Sequence, residues 1–97
     1  SFGMFKSETS SEAVIRVFEP AYYYVRNQIW HKNQKVNDCV IDGKKCLEIT
    51  LPVGDRDKEI LARVLSYSPD SEIVSPPALR EKWLERIRTL YKKFCKK

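Results

Sequence analysis

Short runs of β-branched and other apolar residues predict four β-strands along the chain. In the first, AVIRVF, alternation places Ala13, Ile15 and Val17 on one face. The second and third flank Asp42-Gly43, a dipeptide typical of a tight hairpin turn because both residues tolerate positive φ. With that turn, one register puts six apolar residues on a shared face: Val36, Val40, Leu47, Ile49, Leu51 and Val53. EIVS, which ends before Pro76, predicts a short fourth strand.

Three other stretches have helical spacing. Pro20 fits a first helical turn, and residues suited to one face recur as far as Trp30, which predicts a helix of about three turns. Gly54-Asp55 offers an N-cap for a second helix, whose apolar stripe is Ile60, Leu61, Val64 and Leu65. Pro77 opens a third helix. Its expected buried stripe is Leu79, Trp83, Ile87, Leu90 and Phe94, with Leu84 and Tyr91 along one flank.

The order of these elements is β-α-β-β-α-β followed by an extra helix. It predicts an α+β protein: a ferredoxin-like βαββαβ sandwich with an additional C-terminal helix. The third helix must bury Trp83 and Ile87 over the open face of the sheet, along a sheet edge, or against another domain. The sequence leaves these three placements open.

Length and composition favour one folded domain without a membrane segment. The chain has 97 residues, of which 42% are hydrophobic and 32% charged, and its apolar runs are too short to span a bilayer. The net charge of +5 lies mostly in the C-terminal tail, where eight Lys or Arg accompany two Glu from Arg80 onward. Such a tail can contact nucleic acid or acidic protein, but basic residues also stabilise the last turns of a helix.

The three cysteines form no CxxC pair and match no zinc-binding spacing. An odd number of cysteines without a secretory signal predicts a reducing, cytoplasmic location. Cys39 and Cys46 flank the Asp42-Gly43 turn symmetrically, so the hairpin predicts that they face each other. They are either a thiol pair or two small residues that fill space.

The residues predict no catalytic centre, metal site or cofactor. A phosphatase of this topology needs a phosphate-cradling loop after the first strand, and FEPAY has no Gly there. An RNA-recognition sheet needs aromatic residues on its central strands, and CLEITLPV has none. His31 is the sole histidine, which leaves no Cys-His or multi-histidine arrangement. Asp55 and Asp57 lie at a helix start, where carboxylates commonly serve as cap and dipole partners.

The segment VRNQIWHKNQKV, preceded by IRVFEP and followed by the hairpin, resembles part of the C-terminal extension (WCX) domain of WYL-domain transcriptional regulators. The later segment ILARVLSYSPDSEIVSPPALREKWLERIRTLY extends the resemblance over nearly the whole chain. Two departures stand out. Lys32-Asn33 replaces a frequent Pro-Ser, and Arg63 stands where Trp is common. A WYL signature and a winged helix-turn-helix are absent from the chain.

The resemblance implies a bacterial regulator in which a DNA-binding domain, a ligand-sensing WYL domain and this extension domain follow one another. Residues 1–11 would be a linker from the preceding WYL domain, and residues 12–97 the ferredoxin-like extension. Such domains are thought to assist dimerisation and to frame an effector cleft with the WYL domain. In some members the effector is single-stranded nucleic acid. Promoter DNA would bind only through the absent N-terminal domain.

The resemblance and the local charge select five candidates for contact with the WYL domain or an anionic effector: Arg26, His31, Lys32, Gln34 and Lys35. Trp30 would pack beneath them. Alternatively, Arg26 pairs with Glu19 or Asp38, and His31 supports carbonyls at the helix end. The expected function is thus a non-catalytic, effector-sensing and dimerisation domain. The alternative is a stand-alone single-strand binder that uses the basic C-terminal helix, and a small phosphatase ranks third.

Overall fold

The computed structural model describes residues 11–95, and within them the predicted element order is confirmed. The elements are β1 (Glu12–Phe18), α1 (Tyr22–Val25), β2 (Lys35–Ile41), β3 (Lys44–Pro52), α2 (Asp57–Ser66), β4 (Ser71–Ser75) and α3 (Pro77–Cys95). The expected linker, residues 1–11, lies outside the described residues except for Ser11.

The four strands form one antiparallel sheet in the order β2-β3-β1-β4. This order confirms the ferredoxin-like arrangement, in which the two crossovers place both connecting helices on one face. The hairpin turn is also as predicted, because Ile41 pairs with Lys44 and both turn residues have positive φ, 53° at Asp42 and 81° at Gly43. β2 and β4 are the two edges of the sheet.

The core lies between one face of the sheet and the helices. The strands contribute Ala13, Ile15, Val17, Leu47, Ile49, Leu51 and Ile73, all nearly or fully buried. Val36 shares this face, since it pairs with Ile49, but it remains 46% exposed. β2 is an edge strand, and α1 spans only one turn, so the helical layer does not cover it. The opposite face carries Arg16, whose guanidinium lies 3.1 Å from Glu48 and 4.0 Å from Glu72.

The first helix is much shorter than predicted. α1 ends at Val25, and the segment up to Gln34 is a loop instead of two further helical turns. In that loop the backbone N–H groups of Trp30 and His31 donate to the side chain of Gln34 rather than to carbonyls four residues earlier. A side-chain acceptor has therefore replaced the helical hydrogen-bond ladder.

The third helix packs against β4 and α2, and only its first half is buried. Leu79 and Trp83 belong to the core, but the rest of the predicted stripe does not: Ile87 is 37% exposed, Leu90 48% and Phe94 73%, and Tyr91 on the predicted flank is 66% exposed. The 19-residue helix is about 28 Å long, whereas the five-residue β4 beside it spans about 17 Å. Among residues 11–95, no helix combines the length and apolar character needed to cross a membrane.

Candidate functional site

The loop between α1 and β2 is held by two glutamine side chains. Oε1 of Gln34 accepts hydrogen bonds from the N–H of Trp30 (2.6 Å) and of His31 (3.0 Å), and its Nε2 donates to the carbonyl of Gln28 (3.2 Å). Oε1 of Gln28 accepts from the indole N–H of Trp30 at 3.1 Å, and its Nε2 donates to the hydroxyl of Tyr67 at 2.8 Å. These bonds fix the loop against the end of α2.

Trp30 is the aromatic centre of this region. Its ring stacks on Tyr67 with centroids 6.5 Å apart and an interplanar angle of 17°. The guanidinium carbon of Arg63, from α2, lies 5.2 Å from the centre of the Trp30 ring. A cation over an indole face is attracted by the ring quadrupole, so this contact orients the Arg63 side chain.

Three neighbouring hollows lie between the loop and α2 and form what we call the α2 groove. Their volumes are about 570, 120 and 410 Å³. They adjoin one another, since they share four lining residues: Ile29, Trp30, Arg56 and Arg63. The largest hollow reaches Tyr67 and Gln28, and another ends at His31 and Lys32.

Most of the charged residues that line the α2 groove are cationic. Arg56, Arg63 and Lys32 line it, and the carboxylate among its lining residues is Glu59. Glu59 lies 3.3 Å from Arg56, but both side chains are well exposed, so this ion pair is weak and exchangeable. The groove can therefore present guanidinium groups to a phosphate or carboxylate while offering aromatic faces beside them.

A model of the WCX domain family matches residues 9–91, which is most of the chain. The chain belongs to the WCX domain family. The resemblance drawn from the sequence is thereby confirmed, and the family associates the chain with WYL-domain regulators. A search of curated proteins returns no match.

The structure does not gather the five predicted contact residues of this WCX domain into one place. His31 and Lys32 line one end of the α2 groove beside Arg56. Gln34 instead holds the loop from within. Lys35 is exposed at the start of β2. Which of these residues contact an effector or another domain stays a prediction.

Arg26 lies apart from the α2 groove, above the ring of Tyr22 at 5.6 Å. The hydroxyl of Tyr22 donates to Asp38 at 2.5 Å, and this hydrogen bond, together with burial, raises the pKa of Tyr22. Among residues 11–95, Arg26 forms no ion pair with Glu19 or Asp38. The alternative pairing considered for Arg26 is therefore absent from the described part of the WCX domain.

The alternative expectation for His31, that its side chain supports carbonyls at the end of the first helix, does not describe the hydrogen bond that this side chain makes. Its Nδ1 accepts a hydrogen bond from the backbone N–H of Asn33 at 2.9 Å. The imidazole therefore shapes the turn that carries Lys32 into the groove.

Reasoning from sequence missed Arg56, Arg63 and Tyr67 as groove residues. A usable signal was present: Arg56 and Arg63 are seven positions apart, which places them on one face of a helix two turns apart. Arg63 had already stood out as a replacement for a common Trp. What the sequence could not show is that the loop brings Trp30 beneath that face.

The basic C-terminal helix of the WCX domain is partly neutralised. Arg88 lies 3.0 Å from Glu81 and 2.7 Å from Glu85, and Lys82 lies 2.7 Å from Asp57. These contacts lower the pKa of the Asp57 and Glu85 carboxyls and raise that of Arg88. Within residues 11–95, four basic side chains of α3 form no ion pair: Arg80, which donates to the carbonyl of Ile73 instead, and Arg86, Lys92 and Lys93. The described residues also include no cluster of three or more His, Cys, Asp or Glu suited to a metal ion.

Proposed function

We propose that this WCX domain is a regulatory, non-catalytic unit of a bacterial WYL-family transcriptional regulator, and that its α2 groove binds an anionic effector. The observation that carries the proposal is the cationic lining of the groove around a fixed aromatic centre, with Arg56, Arg63 and Lys32 beside Trp30. The proposal shifts the effector site predicted from sequence toward α2. It keeps His31 and Lys32 and adds the two arginines.

The chemistry of the lining favours a ligand with phosphate or carboxylate groups. An arginine can donate two parallel hydrogen bonds to such a group, which a lysine cannot do with the same geometry. The contact with Trp30 restricts Arg63 before a ligand arrives, so less side-chain freedom is lost on binding. The neighbouring rings of Trp30 and Tyr67 suit a ligand that also has a flat or apolar part.

The preceding WYL domain is the proposed partner on the open side of the groove. Ile29 stands at the mouth of two of the hollows and is 75% exposed. Covering a large aliphatic side chain in this position with another surface is favourable, and full burial stabilises the complex by about 1.5–3 kcal/mol. A WYL domain seated there would close the groove and couple ligand binding to the arrangement of the domains.

A titration with a fluorescently labelled single-stranded oligonucleotide tests the groove as an anion site. We expect binding that weakens as salt rises, since counterions are released from the phosphates. Arg63→Ala should weaken binding about tenfold, the effect of losing one charge-assisted contact. Arg86→Ala removes an equivalent charge from α3 and should have little effect. Equal losses in the two variants, or no oligonucleotide binding by the unmodified chain, would overturn the groove proposal.

A second candidate function is single-strand binding by the α3 tail, which the ion-pair-free Arg86, Lys92 and Lys93 favour. The same titration separates the two sites. If the tail is the binding surface, Lys92→Ala combined with Lys93→Ala should reduce both the affinity and the salt slope, while Arg63→Ala leaves them unchanged. If Arg63→Ala reduces the affinity and the salt slope while the double lysine variant leaves both unchanged, the tail is not the main binding site.

A further inference from the structure

Two cysteines face each other across the β2–β3 hairpin. Cys39 pairs directly with Cys46 in the strand register, and its thiol lies 3.4 Å from the carbonyl oxygen of Cys46. Both are free thiols, with Cys39 partly exposed and Cys46 fully buried. Their side chains lie on the face of the sheet away from the helices, because the adjacent Leu47 belongs to the core on the other face.

The backbone geometry at this pair brings the two cysteines within reach of a disulfide. Ile41 and Lys44 flank a two-residue turn and form a hydrogen-bonded pair, and pair types alternate along an antiparallel ladder. Cys39 and Cys46 are therefore also a hydrogen-bonded pair, with Cα atoms about 5.5 Å apart. Disulfides span Cα separations of about 4.4–6.8 Å, but their Cβ atoms lie about 3.5–4.5 Å apart, closer than the roughly 5.5 Å of a hydrogen-bonded pair, so bond formation requires the two strands to draw together slightly at this point.

We propose that Cys39 and Cys46 form a reversible disulfide by exchange with a small-molecule disulfide such as oxidised glutathione, and that this bond clamps the edge strand β2 to β3. The site is thus a two-electron thiol switch. It is distinct from the α2 groove and does not depend on the function proposed for that groove.

The exchange proceeds in two balanced steps. The Cys39 thiolate attacks one sulfur of oxidised glutathione, which forms a mixed disulfide and releases one glutathione thiolate. The Cys46 thiolate then attacks the Cys39 sulfur, which forms the Cys39–Cys46 bond and releases the second glutathione thiolate. The chain loses two protons and two electrons, and oxidised glutathione is reduced to two thiols.

Exposure sets the order of attack. Cys39 is accessible to a bulky oxidant, whereas Cys46 has no exposed surface. Burial, followed by the hydrogen bond with the Cys39 thiol, raises the pKa of Cys46 to about 12. At any pH below that value, raising the pH by one unit therefore increases the thiolate fraction of Cys46 about tenfold. The closing step should accelerate as the pH rises. The fixed position of Cys46 opposite Cys39 offsets its small thiolate fraction, because no chain entropy is lost in bringing the two sulfurs together.

The clamp would act on the least supported strand of the sheet. β2 lies at an edge, and its residues are exposed or only partly buried. It also follows directly on the loop that Gln34 fixes, so a tighter β2 restricts one end of that loop. Oxidation should slow amide hydrogen exchange along β2 more than along β4.

Trypsin gives a direct test because it cleaves after Lys44 and Lys45, between the two cysteines. Peptides 36–44 and 46–56 then remain joined only if the disulfide has formed. The full chain with Cys95→Ser is incubated folded with oxidised glutathione, alkylated, digested and analysed by mass spectrometry. We expect the linked peptides in most chains, faster formation at higher pH, and complete reversal by dithiothreitol. Cys39→Ser in the same background should give no linked peptides and no change in β2 exchange.

Two results would overturn the proposal. In one, glutathione remains attached to Cys39 and no linked peptides appear, which means that Cys46 cannot reach the mixed disulfide. In the other, linkage occurs only with loss of the native circular-dichroism spectrum, which means that the fold does not accommodate the bond. Because Cys39 is partly exposed, Cys39→Ser should fold and keep the comparison valid even if substitutions at the buried Cys46 do not.

Discussion

At the scale of single residues, Gln34 has a structural role in addition to the ligand contact that the family resemblance implied. The resemblance pointed to a ligand contact, but the side-chain amide accepts two backbone hydrogen bonds and donates one inside its own loop. A primary amide can serve either purpose with the same atoms. The choice depends on where the chain folds back, and a linear pattern does not contain that information.

Replacement of Gln34 by alanine should destabilise the domain. It leaves the N–H groups of Trp30 and His31 without their acceptor, and loss of a partner for partly buried groups costs about 1–3 kcal/mol. Urea unfolding of the variant measures this directly. Asn33→Ala is the matched control, because only the backbone of Asn33 takes part in the hydrogen bonds of this loop. Equal unfolding free energies for the two variants would mean that the amide does not stabilise the loop.

At the scale of elements, the features that depend on local sequence were predicted well, and those that depend on contacts between distant residues were not. The Asp42-Gly43 turn fixed the hairpin register because two positive-φ residues leave few alternatives. The predicted length of α1 was wrong because helical spacing persists to Trp30, while the side chain that accepts from the backbone N–H groups of Trp30 and His31 belongs to Gln34, beyond the end of that pattern. The exposed end of α3 was missed because its stripe is longer than the strand beside it.

The same distinction explains how much of the candidate site was predictable. His31 and Lys32 were found because they are adjacent to Trp30 in the sequence, and they line the groove. Arg56 and Arg63 lie at the start of α2 and within it, and they reach the loop only because α2 packs against Trp30. Arg26 was predicted to belong to the site because it is close to Trp30 in the sequence. Its side chain instead lies over the ring of Tyr22, on another part of the surface.

At the scale of the whole molecule, the domain is elongated, with principal extents of 49 × 34 × 21 Å, and the distal half of α3 is largely exposed. Its exposed apolar residues, Ile87, Leu90, Tyr91 and Phe94, continue the spacing of the buried Trp83 along the same stripe. The other side of the helix carries the Arg88 ion pairs with Glu81 and Glu85. A one-sided apolar stripe of this size is typical of a protein-contact surface.

The expected homodimer leads to a prediction about this stripe: two copies should associate through their α3 helices. Each buried side chain contributes about 1.5–3 kcal/mol at most, and association itself costs about 4–15 kcal/mol, so the dimer should be weak, with Kd in the micromolar range or above. Sedimentation equilibrium over a wide concentration range should show dimers for the unmodified chain and only monomers for Leu90→Glu. Lys92→Glu adds an acidic residue outside the stripe and should leave association intact. If the unmodified chain is monomeric at every concentration, α3 does not mediate self-association, and its stripe then has to be tested against the WYL domain.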